Sequence, residues 1–227
     1  MPTNPQDLPK GSFALIGFDV GFTHCLEAIY QALSKQQLES FYNVGTISPQ
    51  PALKEAFRLL LSKGVHPILI GTDSGMYHEI PKPCTFVHCG AKLPLMEPYP
   101  EDTTCFGIQR TPTLAKQGNI LYADEFHVGG SELSLDVVDD ILARSQRVFV
   151  SIDLSVFAAP FAPEVLEPQI MGLLPWDLTP ALQRLAASGK VVALSLTGLL
   201  AEQDPVGLTA QLAAYLIKSV VWNTNTD

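Results

Sequence analysis

Apolar residues along the chain fall into short continuous runs separated by segments with helical spacing. Phe13-Ala14-Leu15-Ile16-Gly17-Phe18 is a compact apolar run ending near a turn, and Leu26 to Leu33 follows with Ile29, Tyr30 and Leu33 at helical intervals. The same unit recurs. Pro51 to Lys63 places Leu53, Phe57, Leu60 and Leu61 on one side and stops at Gly64, a residue suited to closing a helix, before the buried run Pro67-Ile68-Leu69-Ile70-Gly71. Leu135 to Arg144 predicts a helix with Val137, Val138, Ile141 and Leu142 inward, and Arg147 to Asp153 predicts the next strand. Leu178 to Ala187 predicts a helix opened by Thr179-Pro180 and closed by Gly189, with Val191 to Leu196 as a strand after it. Asp204-Pro205 predicts the start of a last helix reaching about Val221, with Leu208, Leu212, Tyr215 and Leu216 on one face.

The predicted strands are near-continuous apolar runs, whereas a sheet with one wet face would alternate. Strands of this kind alternating with helices predict a three-layer α/β/α fold, a mainly parallel sheet covered on both faces. Residues Met1 to Gly11 lack periodicity and read as a flexible N-terminal arm, leaving residues 12–227 as one domain. In a parallel sheet the chemistry lies just beyond the carboxyl ends of the strands. Those ends are Gly71 to Ser74, His88 to Lys92, Gly107 to Arg110, Asp153 to Ser155 and Thr197 to Leu200.

Composition narrows the partners. Of 227 residues, 47% are hydrophobic and 16% charged, which excludes intrinsic disorder. A net charge of −9 is the wrong sign for binding nucleic acid by counterion release or for a polybasic membrane surface. The longest apolar stretch, Val191 to Ala201, is too short to span a bilayer. Four cysteines at low density and the lack of a basic-then-apolar leader point to a reducing, cytoplasmic setting.

Several segments at the strand ends are similar to motifs of the arginase/agmatinase/formimidoylglutamase (ureohydrolase) family. Ser151 to Pro163, SIDLSVFAAPFAP, resembles the family's S-x-D-x-D-x-x-D-P-x-x-A-P strand and loop. Pro67 to Gly75 resembles P-x-x-L-G-G-D-H-S, and Asp204 to Ala214 resembles D-P-x-G-x-T-A-x-L-A-A. Phe106-Gly107-Ile108-Gln109 is similar to the G-I-Q form of formimidoylglutamase-like members. The resemblance runs in order from about Phe13 to Val221. It implies an arginase-like fold and, for ordinary members, hydrolysis of linear C–N bonds in guanidino or formimino groups by two bridged manganese ions.

The same resemblance implies that the metal ligands are mostly replaced. The ligand His of G-G-D-H-S corresponds to Ser74; the three ligands of D-A-H-x-D correspond to His88, Gly90 and Lys92; and in the S-x-D-x-D strand Asp153 is retained while the second Asp becomes Ser155. A further family Asp corresponds to Ala158, and the Glu that holds the substrate guanidinium to Gly198. Two dications a few Å apart need several anionic ligands between them, and one Asp with one His does not supply that charge. No cofactor is therefore expected, and the reading is a non-catalytic homologue that works by binding or assembly, as a homo-oligomer or beside an active family member. The alternative is a C–N hydrolase with an altered centre, one metal held by His88 and Asp153. Lys92 stands where a metal-binding Asp would be, so one expectation pairs its ammonium with Asp153. The competing one has Asp153 capping its own loop while Lys92 points outward.

Other groupings carry less. His78, Cys84, His88 and Cys89 match no zinc spacing and read as buried thiols and surface imidazoles. Asp124-Glu125-Phe126-His127, before the turn Val128 to Ser131, reads as a solvated connection, and Asp73 as a backbone-bonding residue. Ser74, Ser151 and Ser155 lack the elbow motif of a serine nucleophile. Phe157 to Trp176, rich in Pro and apolar residues, reads as a cover over the site or as a partner surface.

Overall fold

The computed structural model describes residues 2–18, 24–35, 41–48, 50–71, 74–96, 98–111 and 118–221. In chain order the elements are β1 (Phe13–Gly17), α1 (Cys25–Ser34), β2 (Phe41–Thr46), α2 (Gln50–Ser62), β3 (His66–Ile70), β4 (Thr85–Cys89), β5 (Thr103–Ile108), β6 (Asn119–Tyr122), α3 (Ala123–Arg144), β7 (Val148–Asp153), α4 (Pro175–Ala187), β8 (Val191–Thr197) and α5 (Leu208–Val221). Short 3-10 turns at Ser74–Glu79, Leu154–Val156 and Ala201–Gln203 sit between them.

Eight strands pair in the order β2-β1-β3-β8-β7-β4-β5-β6, and every pairing is parallel. β8 and β7 insert between β3 and β4, so the centre of the sheet is where the chain changes direction. Strand alternation divides the core. Leu15, Ile70, Val150, Ile152 and Leu196 face the layer formed by α1, α5, α4 and α3, packed side by side. Ile16, Leu69, Phe86 and Phe149 face a thinner layer made of α2 and the turn Ser74–Glu79. The three-layer parallel fold expected from the apolar runs is present, with its helices unequally shared between the two faces.

Several boundaries differ from the sequence expectation. α3 starts at Ala123, twelve residues before the predicted Leu135, so Asp124 to His127 are helical instead of a connection. Glu125 accepts the backbone N–H of Tyr122 (2.7 Å), satisfying one donor at the helix start, and the anticipated turn survives as a break at Gly130 (φ 61°, ψ −158°). α4 begins at Pro175, where a missing N–H costs nothing, while Asp177 accepts the N–H of Leu174 (2.8 Å); Pro180 falls inside the helix. α5 starts at Leu208, and Asp204 reaches forward to accept the N–H of Ala210 (2.8 Å).

The N-terminal segment lies against the body. Leu8 is buried, the Gly11 N–H donates to the Gly64 carbonyl (2.8 Å), and the Thr3 N–H donates to the carbonyl of Asn43 on the outer strand β2 (2.6 Å). Among the described residues no helix is long and apolar enough to cross a membrane.

Candidate functional site

The parallel register brings residues from three neighbouring strands into one row. His88 of β4 pairs with Ser151 of β7, and Ser151 with Ser195 of β8; two residues further out, Asp153 pairs with Thr197. All five lie on the face away from α3, α4 and α5, at the carboxyl ends of the central strands. Ser151 and Ser195 are buried, and the Ser195 hydroxyl has no hydrogen-bond partner among the described residues.

His88 is buried beside the near-parallel ring of Phe86. Its Nε2 lies 3.0 Å from the Lys92 carbonyl and its Nδ1 3.4 Å from the Ser151 hydroxyl. A carbonyl only accepts, so Nε2 carries the proton and Nδ1 keeps its lone pair. Burial lowers the His88 pKa, opposed by the Lys92 carbonyl and the charge on Asp153, and the ring is held neutral. The imidazole folds back over Gly90: a Cβ built there would stand 2.3 Å from Nε2. The room that a side chain at position 90 would need is filled by the histidine two residues before it.

Asp153 ends β7, and its Oδ1 accepts the N–H of Ser155 (2.9 Å), capping the turn Leu154–Val156. Gly198, just past β8, has φ +92°, and a Cβ there would come within 2.6 Å of the same Oδ1 and 3.3 Å of the Leu154 nitrogen. Position 198 accepts only glycine without displacing the carboxylate. Ala158 is buried, its N–H donating to the Leu173 carbonyl (2.9 Å).

The expected Lys92–Asp153 pair does not form. Lys92 Nζ lies 2.5–2.7 Å from the carboxylate oxygens of Glu167, and the two side chains are 70% and 51% exposed. The cause is local. The His88–Lys92 hydrogen bond curls the chain after β4 so that the Lys92 carbonyl faces inward and its side chain leaves toward solvent. The competing expectation, Asp153 capping its own loop, is the arrangement present.

Ser74 opens the turn Ser74–Glu79, and Thr72 and Asp73 lie outside the described residues. Cys89 follows His88 in β4 and so points to the opposite face, in the other half of the core, which separates the two as joint ligands. Burial raises the thiol pKa values, to about 11 for Cys84 and Cys105. Among the described residues no three His, Cys, Asp or Glu side chains are grouped to hold a metal ion.

The segment from Phe157 to Trp176 folds back across the strand ends. Phe157 pairs with Leu173 and Ala158 with Gln169, and Phe157, Val165 and Leu173 are buried. Gly107, at φ +81°, admits this loop closely, since a Cβ there would meet Leu173 at 3.0 Å. Gln109 and His127 both approach the Met171 carbonyl, at 3.0 and 3.3 Å. Leu166, Ile170, Met171 and Trp176 remain exposed on the outer side, with Phe161 edge-on to Trp176 (5.4 Å, 88°). Sequence reasoning did not single out Ser195 or Glu167, because neither the β7–β8 register nor the course of Lys92 can be read without the strand order. A separate cleft of about 640 Å³ over β1 and β2, lined in part by His24, Glu27, Asn43 and Thr46, includes none of His88, Ser151, Asp153, Ser195 and Thr197.

An all-parallel sheet with its chemistry-bearing positions gathered beyond the central strands is the layout of an α/β protein whose site lies at the carboxyl ends of its strands. The model of the arginase family matches residues 72–222, and the chain belongs to that family. A formimidoylglutamase of Legionella pneumophila (strain Paris) is 34% identical over 125 residues, covering 52% of this chain and 39% of that protein. The match thus spans about two fifths of the curated relative. The fold is shared with a hypothetical agmatinase from Burkholderia thailandensis (TM-score 0.81, 17% identity, 97% of this chain and 88% of that one). It is shared equally with formimidoylglutamase from Bacillus subtilis (TM-score 0.79, 16% identity, 98% and 89%).

Proposed function

We propose that this arginase-family chain does not assemble a dinuclear manganese centre and works by binding or assembly rather than by C–N hydrolysis. The observation that carries this reading is the occupation of two positions by the protein itself. The His88 ring stands in the side-chain space of position 90, and the Asp153 carboxylate stands in that of position 198. Manganese is a hard ion that takes several oxygen and imidazole ligands, and a bridged pair needs carboxylates between the ions. The described donors at the strand ends are one carboxylate already accepting a backbone N–H, one imidazole whose Nε2 proton is committed to a carbonyl, and hydroxyls. These residues do not fit a pair of manganese ions. Four buried cysteines, none of them in a disulfide, suit a cytoplasmic setting.

Metal content and turnover test the reading together. The purified chain, incubated with excess manganese and desalted, is expected to retain far less than one ion per molecule and to release no product from formiminoglutamate, agmatine or arginine. Two tightly held ions with turnover would overturn it. One ion lost on His88→Gln or Asp153→Asn, with turnover, would establish instead a C–N hydrolase with an altered centre. Stable co-purification with an active family member would define the assembly as a mixed one.

A further inference from the structure

The loop that crosses the strand ends is apolar on its buried side, as a cover must be, but it is apolar on its outer side as well. Leu166 is 70% exposed, Ile170 89%, Met171 61% and Trp176 59%. Water-facing side chains of this size on one short loop present several hundred Å² of apolar surface, as much as the largest patch on an ordinary monomer. That suits the apolar centre of a standard interface, to which each partner contributes about 800 Å². The loop is also held in place. Its ends pair through Phe157–Leu173 and Ala158–Gln169, the Met171 carbonyl is approached by Gln109 and His127, and Trp176 sits in the first turn of α4 with Phe161 edge-on to its ring. Fixing this surface in advance lowers the ordering cost of an encounter.

The border of the patch is acidic. Glu164 and Glu167 lie on the loop, Asp177 adjoins Trp176, and Asp124 and Glu125 lie on the helical turn that carries His127. Lys92 pairs with Glu167 and Arg110 with Asp124 and Glu125, and these two cations against the five carboxylates named leave the border net negative. A second copy would bring the same acidic border against this one, on a chain whose net charge is −9. We propose that this surface docks a different protein, one that presents apolar side chains inside a basic border. The proposal rests on the binding reading given above, and names the kind of partner that reading requires.

A phage-displayed library of random 12-residue peptides panned against the whole chain tests it. The enriched peptides are expected to combine two or more large apolar residues with Lys or Arg. A synthetic peptide from the pool should lose at least about tenfold in affinity on Ile170→Lys, weaken at raised salt, and shift the Trp176 emission on binding. Ile170 is nearly fully exposed, so an unchanged melting curve for the variant shows that the loss is local. Four results would overturn the proposal: no enrichment, enrichment without basic residues, binding indifferent to Ile170→Lys, or sedimentation of the chain alone as a dimer that this substitution dissociates. The metal assay is independent. Bound manganese with turnover removes the non-catalytic reading while leaving the panning result intact, and failure of the panning leaves the metal result untouched.

Discussion

Gly198→Ala probes the contact that fills the candidate site, and its cost follows from two separate sources. The backbone at position 198 has φ +92°, where a side chain costs about 1–2 kcal/mol. The new methyl would also stand 2.6 Å from Asp153 Oδ1, too close for any real contact. The carboxylate must swing away and give up the Ser155 N–H that it caps, a loss of about 1 kcal/mol. The total is about 2–3 kcal/mol, read as a lower urea midpoint at unchanged slope. In an Asp153→Ala background the methyl meets no carboxylate, so only the backbone part should remain and the two changes should couple by about 1 kcal/mol. A Gly198→Ala protein within about 0.5 kcal/mol of the parent, or a strictly additive cycle, would refute the claim that Asp153 and Gly198 exclude a side chain between them.

Gly90→Ala should destabilise by about 2–3 kcal/mol in urea titration, because the displaced His88 ring leaves its bond to the Lys92 carbonyl; in a His88→Ala background the same change should cost almost nothing. His88 is held neutral with a lowered pKa, so an unfolded chain takes up a proton there first. Its contribution is whole above the unfolded value of about 6.5 and is lost as pH falls below it, by up to about 1.4 kcal/mol per pH unit. His88→Gln should flatten the stability profile between about pH 6.5 and 5, the remaining slope coming from His66 and His78, whose pKa values burial also lowers. Lys92→Met should change the urea midpoint by less than about 0.5 kcal/mol, since the Lys92–Glu167 pair is exposed; a loss of several kcal/mol would mean that the ammonium serves a buried partner.

The central strands were legible because burial on both faces leaves little room for polar positions: β1, β3, β7 and β8 are mostly Phe, Leu, Ile, Val and Ala, with the polar residues of β7 and β8 falling at the site. The outer strands β2 and β6 were not, since an edge strand keeps a partly wet side, and Phe41–Thr46 and Asn119–Tyr122 mix Asn, Gly, Thr and Tyr with their apolar residues. Helix starts were misplaced where a second signal lay upstream: Pro175 and Asp177 open α4 before the more conspicuous Thr179-Pro180, and Glu125 secures the start of α3 ahead of Gly130. At the site, the apolar runs put His88, Asp153 and Gly198 at strand ends, where β4, β7 and β8 carry them. The fate of Lys92 turned on a hydrogen bond between a ring and a carbonyl four residues on, which no spacing encodes. The row from His88 through Ser151 to Ser195 needs β7 and β8 to be neighbours of β4 in that order, a fact of topology and not of local pattern.

The bond from Thr3 to the outermost strand has a consequence for how molecules of this kind can join. A lone outer strand offers bare amide and carbonyl groups to any extended peptide. Here residues 2 and 3 already lie along part of that border, with Pro2 pressed against Gly45. At the opposite margin β6 is only four residues long. Growth by lengthening the sheet from one molecule into the next is discouraged at both ends, and lasting contacts must come through side chains on the loops and helices.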